Sequence, residues 1–399
     1  MERHLRVLVL SSEPPWPPTH GGARLKLYQV LKHLAPRHDM TLLMMLERPE
    51  EREFVPALEK VCGRVLAFDR KPVSAPPTWR ERWQAPFYRL AYTTEVAAAI
   101  QHELTKNTYD LVHVDLAHMA VYTPLLREHR KIIAAHDSQT VSYASRVALA
   151  RTPRERLRAR FLLNRVRAFE RQHYPEYDAC IVVAEEDRDM IRRLCPDLRV
   201  QIAPNGIDLD YFQPQPATIA EPHQLVFTGM MDFGPNIDAV AWFVSAILPR
   251  VEQAYPDARF EIVGRNPTGA VRALTKSARV SATGFVPDLQ PHLARAAVYV
   301  CPLRLGSGMK NKMLEAMAMG KAIVTTSEGA SGIGGTSGRE YLVADQAEPF
   351  ADAVVELLRN PARRWDLGQA ARRFVEARYS WERTVELYHQ LYLAVAGRG

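Results

Sequence analysis

Short apolar runs alternate with helical patterns along this chain of 399 residues. The runs are hydrophobic at successive positions rather than at every second position, which is typical of strands buried on both faces of a parallel sheet. Strands that alternate with helices indicate an α/β fold, and the length is sufficient for two domains. The sequence therefore predicts two parallel sheets, each covered by helices.

The predicted strands fall into two sets separated by a proline-rich linker. The first set comprises residues 6–10, 40–46, 111–114, 132–135, 180–183 and 200–202, and the second comprises 225–228, 260–263, 280–282, 298–301, 322–324 and 341–343. Between them, residues 210–222 contain three prolines and show no hydrophobic period, which predicts a hinge. We therefore expect one domain over residues 1–208, a second over 222–380, and a final helix over 381–397.

The segment from Gly306 to Thr326 carries the strongest functional signal. Leu314, Met317 and Ala318 share a helical spacing, so we predict a helix from about 309 to 319 that Gly320 ends in a left-handed conformation. An apolar strand follows. The start of this helix lies next to a glycine-containing loop.

This loop has the composition of an anion site. Gly306 and Gly308 would let a ligand approach the backbone, where the first N–H groups of the helix and its dipole favour a negative charge. Lys310 and Lys312 add positive charge at the same end. The segment therefore predicts a bound phosphate.

Glu315 follows Lys312 by three residues and shares roughly the same helix face. An ionised carboxylate accepts hydrogen bonds from ribose hydroxyls, while the cations would hold a diphosphate, and together these groups suit a sugar nucleotide. The spacing fits equally well a solvated helix face with an i,i+3 ion pair, which contributes little.

The motif K-N-K-M-L-E-A-M-A resembles the signature of family 4 retaining glycosyltransferases of the GT-B fold, especially bacterial exopolysaccharide-assembly sugar transferases. Further segments resemble family landmarks in family order: Gly21-Gly22, His136-Asp137, residues 204–208, residues 284–288 and residues 379–381. The resemblance implies two Rossmann-like domains whose parallel sheets face an interdomain cleft. The first domain would lie on the acceptor side with the C-terminal helix packed back onto it, and the second would bind the donor.

The chain departs from the family pattern in two places. Many members have a glutamate eight residues before the equivalent of Glu315, where this chain has Ser307, and many have an arginine–lysine pair in the region 229–236, which has none here. The sequence instead resembles a subgroup in which cationic side chains and glycine amides fill the loop. We therefore assign the phosphate to Lys310 and Lys312, and add Ser307 and Met309 to the donor site.

Other donor contacts follow from the resemblance. Gly21 and Gly22 follow the first strand, where they would contact the donor or simply allow a turn, and Arg24 would add charge. Arg265 ends the second strand of the second domain and would reach the phosphate. The remaining pair, Phe285 and Val286, would flank the nucleoside base, although an apolar pair is as readily part of a core.

His136 directly follows a predicted strand, and the resemblance assigns it to the donor sugar, although a lone histidine is more often only a satisfied polar residue. His113, Asp115 and His118 are residue types that bind metals. We expect no metal and no cofactor, because cations and a helix dipole can stabilise the diphosphate without one.

An arginine-rich stretch accounts for the basic character of the chain, whose formal net charge is +7. Nine arginines and two glutamates lie between residues 143 and 171. The interleaved apolar residues predict a basic amphipathic helix that would lie on an anionic membrane surface, or else form a solvated face of the first domain. No nucleic-acid recognition motif accompanies it, so we expect no nucleic-acid partner.

Four cysteines without a C-x-x-C pair indicate reduced thiols, and the N-terminal apolar run is predicted to be a strand, not a signal peptide. No apolar run approaches the length of a membrane span. These features predict a cytoplasmic protein, with the inner membrane face as a candidate peripheral location.

The sequence thus predicts a metal-independent, retaining glycosyltransferase that moves a hexose from a nucleoside-diphosphate sugar to a glycan or lipid-linked acceptor in surface polysaccharide biosynthesis. Retention is implied by the resemblance alone. Two alternatives stay open. A GT-B sugar-nucleotide epimerase would need carboxylates poised for proton abstraction, and Ser307 leaves room for a non-catalytic nucleotide-sugar-binding protein.

Overall fold

A computed structural model of the protein describes residues 3–17, 22–70, 87–88, 91–150, 152–215, 220–306 and 308–397. The chain divides into two compact units, Met1–Gly206 with Trp381–Gly399, and Ile207–Ser380. Each unit contains one sheet, of seven and six strands respectively, in which every paired strand is parallel. The predicted α/β class with two parallel sheets is confirmed.

The first unit has the sheet order β3-β2-β1-β4-β5-β6-β7. Its strands are β1 Arg6–Ser11, β2 Asp39–Leu46, β3 Arg64–Asp69, β4 Leu111–Asp115, β5 Lys131–His136, β6 Ala179–Val182 and β7 Val200–Ile202. Its helices are α1 Gly22–Leu34, α2 Val55–Glu59, α3 Thr94–Lys106, α4 Gln139–Leu149, α5 Pro153–His173 and α6 Glu185–Leu194, with 3-10 turns at Pro49–Phe54, Ala117–Leu126 and Tyr174–Glu176.

Strand β3 is absent from the sequence prediction. It lies at the edge of the sheet, and its residues are partly exposed instead of fully buried. A partly exposed edge strand lacks the continuous apolar run that identifies a central parallel strand.

The last helix of the chain, α15 Trp381–Ala396, belongs to the first unit. It packs against α1, and Val385, Tyr388, Leu391 and Tyr392 join the same hydrophobic cluster as Leu27 and Leu31. The first unit is therefore built from both ends of the chain.

The second unit has the sheet order β10-β9-β8-β11-β12-β13. Its strands are β8 Gln224–Thr228, β9 Arg259–Val263, β10 Val280–Gly284, β11 Val298–Cys301, β12 Ile323–Thr325 and β13 Leu342–Val343. Its helices are α7 Gly234–Trp242, α8 Leu248–Ala254, α9 Gly269–Leu274, α10 Gln290–Arg295, α11 Asn311–Ala318, α12 Ser327–Ala330, α13 Ala347–Arg359 and α14 Pro361–Arg378, with a π-helical turn at Phe243–Ile247.

Helix α11 is shorter at its start than the sequence predicts, because Lys310 is its N-cap residue. At its other end Gly320 has a φ of 65°, the left-handed conformation expected of a residue that ends a helix. The apolar side of α11, with Met313, Leu314 and Met317, is fully buried in the core of the second unit.

The arginine-rich stretch forms two helices, α4 and α5, where the sequence analysis predicted one. The break has a local cause, because Pro153 occupies the first turn of α5, where it needs no hydrogen-bond partner for its nitrogen. Thr152 and Glu155 form a capping box in which each side chain accepts a hydrogen bond from the other residue's N–H. These residues begin a new helix.

Within the part of the chain that the structure describes, no helix combines the length and apolarity needed to cross a bilayer. All four cysteines are free and buried.

Candidate functional site

The predicted anion loop connects β11 to α11, at the carboxyl edge of the second sheet. Gly306 and Gly308 both have positive φ values, 142° and 70°, and Met309 packs partly against the core. Ser307 lies outside the described residues. The loop therefore reaches the edge where ligands bind in parallel α/β sheets.

Lys310 is held within the protein instead of presenting an unpaired charge. Its side chain is 8% exposed, and its Nζ donates to the carbonyl of Gly308 at 2.8 Å and to Oε1 of Glu328 at 3.0 Å. Glu328 lies on α12, after the next strand of the sheet. The ion pair fixes the conformation of the glycine loop.

Lys312 lies partly buried with a neutral partner. Its Nζ donates to Oδ1 of Asn236 at 2.6 Å and lies 4.2 Å from the centre of the Phe227 ring. Among the described residues, no carboxylate oxygen lies within 4 Å of this ammonium. Burial lowers the pKa of Lys312 to about 8. The ammonium is therefore a cation that an approaching anion would stabilise.

Glu315, one turn along α11, is also partly buried. Burial raises the pKa of its carboxyl group to about 7, and the charge of Lys312 opposes this shift. No described residue donates a hydrogen bond to the carboxylate, and no ion pair forms with Lys312. The observed burial is inconsistent with the solvated ion-paired face that the spacing left open.

The loops after β8 and β9 approach each other closely beside Lys312. A Cβ atom on Gly264 would lie 1.7 Å from the carbonyl oxygen of Gly229, so only glycine fits this position. The side-chain amide of Asn236 donates to the carbonyl of Met230 at 2.8 Å, which orients its oxygen toward Lys312. Arg265 follows β9, and its guanidinium contacts the sulfur of Met230 at 3.0 Å.

Phe285 and Val286 follow β10 at the same edge, but they differ in environment. The Phe285 side chain is 74% exposed, whereas Val286 packs against the core. Of these two residues, Phe285 is the one that offers an open aromatic face to a ligand. Val286 fits the core interpretation that the sequence analysis also considered.

In the first unit, Gly22 is the first residue of α1 and is exposed, while Gly21 lies outside the described residues. Arg24, which the sequence predicts to add charge to a ligand contact, is instead paired within the protein. Its guanidinium is buried and donates to Glu13 at 3.2 Å and to Glu51 at 3.0 Å. Two carboxylates therefore already neutralise it.

His136 ends β5 in a strained conformation, with a φ of 63°. Its Nε2 lies 3.0 Å from Oδ1 of Asp115, the last residue of the neighbouring strand β4, so a carboxylate orients the imidazole. Within the first unit, the strand ends therefore present a histidine with a fixed ring orientation.

The neighbouring His113 lies near the same carboxylate, with its Nε2 3.8 Å from Oδ1 of Asp115. His113 is fully buried, its Nδ1 lies 2.6 Å from the Tyr392 hydroxyl, and burial lowers its pKa to about 4. His118 hydrogen-bonds Ser12. Within the described ranges, no three His, Cys, Asp or Glu side chains are arranged to hold a metal ion.

Two residues of this site were missed in the sequence analysis. Asn236 had a signal, since it lies in the region 229–236 that the family resemblance singles out, but its contact with Lys312 spans 76 positions. Glu328 had none, because it meets Lys310 only through the pairing of β11 with β12.

Two family models match the chain. The model described as "Glycosyltransferase Family 4" matches residues 20–211, and the model described as "Glycosyl transferases group 1" matches residues 222–360. Together they cover most of both units. The chain belongs to the family 4 glycosyltransferases and has their GT-B fold, as the resemblance predicted.

Two relatives illustrate the range of similarity. An uncharacterized 44.6 kDa protein in the cps region of Klebsiella pneumoniae is 20% identical over 94% of this chain and 96% of its own length. A GDP-mannose-dependent alpha-(1-6)-phosphatidylinositol monomannoside mannosyltransferase of Mycobacterium tuberculosis is 27% identical over 63% of this chain and 75% of its own.

Two solved structures share the fold. Sucrose-phosphate synthase from Thermosynechococcus elongatus superposes with a TM-score of 0.75 at 19% identity and covers both chains fully. Anabaena HepE, solved in complex with UDP-glucose, superposes with a TM-score of 0.66 at 15% identity, over 97% of this chain and 99% of its own.

Proposed function

We propose that this glycosyltransferase transfers a hexose from a nucleoside-diphosphate sugar with retention of the anomeric configuration and without a metal ion. The observation that carries the proposal is the pair Lys312 and Glu315, a cation and a carboxylate with unmet hydrogen-bonding capacity on one helix beside a glycine loop. A diphosphate and a ribose are complementary to these two groups in charge and in hydrogen bonding.

In this proposal the donor lies along the carboxyl edge of the second sheet. Lys312 and the backbone of Gly306 and Gly308 bind the diphosphate, and Glu315 accepts hydrogen bonds from the ribose. Phe285 offers its exposed ring to the base, with Arg265 as an additional phosphate contact. Lys310 acts indirectly, because its bonds to Gly308 and Glu328 hold the loop in position.

The transfer breaks the bond between the anomeric carbon and the diphosphate oxygen and forms a bond from that carbon to an acceptor hydroxyl. The acceptor proton passes to the leaving diphosphate, so no protein base is needed. Lys312 and the helix N–H groups stabilise the negative charge that develops on the leaving group. Attack from the face that the diphosphate leaves gives retention, and we assign His136, oriented by Asp115, to the donor sugar.

The names of the relatives support a sugar nucleotide as donor and a surface glycan or lipid-linked acceptor. One relative is a GDP-mannose-dependent enzyme that acts on a phosphatidylinositol mannoside, one structural neighbour was solved with UDP-glucose, and another relative is encoded in a cps region. We infer a role in surface polysaccharide biosynthesis, and a peripheral contact with an anionic membrane through α5.

The test is incubation of the purified protein with radiolabelled GDP-mannose and UDP-glucose, each with and without lipid-linked acceptors. We expect radiolabel in the acceptor, with the anomeric configuration of the donor, as read by NMR of the product. Conversion of the free sugar nucleotide to an epimer would replace this proposal with an epimerase. Binding without turnover across the panel would indicate a non-catalytic protein.

A further inference from the structure

A second group of charged residues lies at the amino ends of the strands of the second unit. They line a cavity of about 270 Å³ that contains three arginines, two glutamates and a serine: Arg259, Arg279, Arg295, Glu221, Glu261 and Ser281. The donor-site residues follow the carboxyl ends of the same strands. Since β9 has five residues at roughly 3.3 Å each, the two regions lie on the order of 15 Å apart.

The register of β9 and β10 brings two arginines side by side. Phe260 pairs with Val280 and Glu261 pairs with Ser281, so Arg259 and Arg279 occupy the position before the first of these pairs. The Phe260 N–H donates to the Arg279 carbonyl at 2.8 Å. Because Phe260 and Val280 point into the core, both arginines lie on the opposite face. Like charges placed directly opposite on neighbouring strands are destabilising unless a counter-charge is present.

The carboxylates of the cavity are already engaged by other groups. Glu261 binds His292 at 3.1 Å and lies 3.9 Å from Arg295. Glu221 lies 3.9 Å from the same arginine. Within the described part of the chain, no carboxylate oxygen comes within 4 Å of Arg259 or Arg279, and neither guanidinium donates a hydrogen bond. A hydrogen bond from His223, together with the charge of Arg279, lowers the pKa of Asp257, but the Asp257 carboxylate is bound by His223 at 2.8 Å and forms no ion pair with the arginine. Neither Arg259 nor Arg279 therefore has an ion-pair partner among the described residues.

We propose that Arg259 and Arg279, with the hydroxyl of Ser281, form a second anion site that binds a phosphate dianion, either free or as a monoester. Two guanidinium groups match the charge of the dianion and present paired N–H donors to its oxygens. The proposal is independent of the donor assignment, because it involves the other edge of the sheet.

The test is a calorimetric titration with inorganic phosphate and, separately, with hexose 6-phosphate, at constant ionic strength. We expect wild-type protein to bind with a Kd near or below about 1 mM. The double variant Arg259→Gln/Arg279→Gln should bind at least about tenfold more weakly. Arg259→Lys/Arg279→Lys, which keeps the charge but loses the planar fork, should show an intermediate loss. Tighter binding of the hexose phosphate would identify a monoester as the ligand, and equal binding would identify free phosphate.

Two controls separate this site from others. Arg250→Gln/Arg373→Gln removes the same charge from exposed helix positions of the same unit and should leave phosphate binding unchanged. Lys312→Ala removes any phosphate that binds at the donor site, and the binding that the Arg259/Arg279 variants lose should persist in it. No binding by wild type, wild-type binding by the Arg259/Arg279 variants, or loss of all phosphate binding in Lys312→Ala would each overturn the proposal. The thermal unfolding of every variant without phosphate should match that of the wild type, which checks that the variant is folded.

Discussion

At the scale of single residues, the proposed donor site depends on a lysine that has no carboxylate partner among the described residues. The Lys312 ammonium has a neutral amide and an aromatic ring beside it, whereas Lys310, two positions earlier, already has a carboxylate. A charge that is partly removed from water and lacks a counter-ion interacts strongly with an incoming anion. We therefore attribute most of the diphosphate affinity to Lys312.

The first prediction is that Lys312→Ala weakens binding of the donor's nucleoside diphosphate by about 1.5–3 kcal/mol, the contribution of a charge-assisted hydrogen bond. Isothermal titration calorimetry measures this directly. Lys276→Ala, at an exposed position of the same unit, is the matched control and should bind as wild type. An unchanged affinity in the Lys312 variant would remove this residue from the site.

The second prediction concerns pH. Burial raises the pKa of Glu315 to about 7 and lowers the pKa of Lys312 to about 8. Below pH 7 the carboxyl group is protonated and accepts ribose hydroxyls poorly, and above pH 8 the ammonium loses its charge. Donor affinity should therefore rise through pH 7, be greatest between about 7 and 8, and fall above 8.

Calorimetry with an intact sugar nucleotide tests this profile, since that ligand has no phosphate monoester of its own to titrate. In Glu315→Gln the rise through pH 7 should disappear while the fall above pH 8 remains. A profile that keeps its acidic limb in this variant would assign that limb to another group.

The sequence predicted the placement of those parts of the candidate site that follow one another in the chain. The glycines, the two lysines and the glutamate lie on one loop and the helix that follows it. Their spacing and the geometry of a helix were therefore sufficient to predict that they lie together. The partners of the two lysines could not be predicted in this way. Asn236 and Glu328 come from other strand–helix units, and only the folded sheet brings them to Lys312 and Lys310.

At the scale of elements, the first half of α5 is unusual because it is exposed on almost every side. Leu157 and Phe161 are 71% and 51% exposed and lie four residues apart, hence on one face of the helix. Exposed arginines at 154, 156, 158 and 160 surround them. A solvated helix face has no need of two exposed large apolar side chains, whereas a helix that lies on a membrane does.

The third prediction is that this segment binds anionic vesicles. Each arginine near such a surface contributes about 1 kcal/mol, reduced by salt, so Arg156→Gln/Arg160→Gln/Arg167→Gln should lose most of the binding. Co-sedimentation with anionic and neutral lipids measures it. Changing Leu157 and Phe161 to serine should also weaken binding, and this loss should not depend on the salt concentration, because it removes apolar contact and no charge.

The matched control is Arg192→Gln/Arg193→Gln/Arg373→Gln, which removes three exposed arginines from other helices. It should pellet with anionic vesicles as wild type does. Equal pelleting of all proteins with both lipids would return α5 to the solvated-face interpretation.

Elements were predicted from the sequence to the extent that each had a local signal. Continuous apolar runs identified the central strands, because these are covered on both faces, while edge strand β3 went unrecognised. The boundary between α4 and α5 was also missed, although Thr152, Pro153 and Glu155 form a recognisable start signal. The same pattern of apolar and charged residues continues on both sides of this start signal, so a single helix was predicted.

At the scale of the whole molecule, each unit places its candidate functional groups at the carboxyl edge of a parallel sheet. In the second unit these are the loops after β8, β9, β10 and β11, and in the first unit the ends of β4 and β5. This recurrence follows from topology, since all strands of a parallel sheet end at one edge. The sequence could predict it as soon as both sheets were recognised as parallel.

The fourth prediction is that transfer needs no metal ion. The leaving diphosphate requires positive charge, and in the proposed site Lys312, the N–H groups at the start of α11 and the glycine loop would supply it from preorganised positions. Activity should therefore persist at excess chelator, with kcat within about twofold of the untreated enzyme. Radiolabel transfer, assayed with chelator and again after adding magnesium or manganese, measures this.

The alternative to a metal-independent transfer is a metal site in the first unit. If chelator abolished transfer and a divalent cation restored it, the cluster of His113, Asp115 and His118 would have to rearrange around a metal. His113 and His118 now hydrogen-bond Tyr392 and Ser12. His118→Gln would then weaken or abolish the restoration of activity by the added cation, whereas in a metal-independent enzyme it would leave the response to chelator unchanged. The same variant therefore distinguishes a polar network that supports the strand ends from a metal site at those ends.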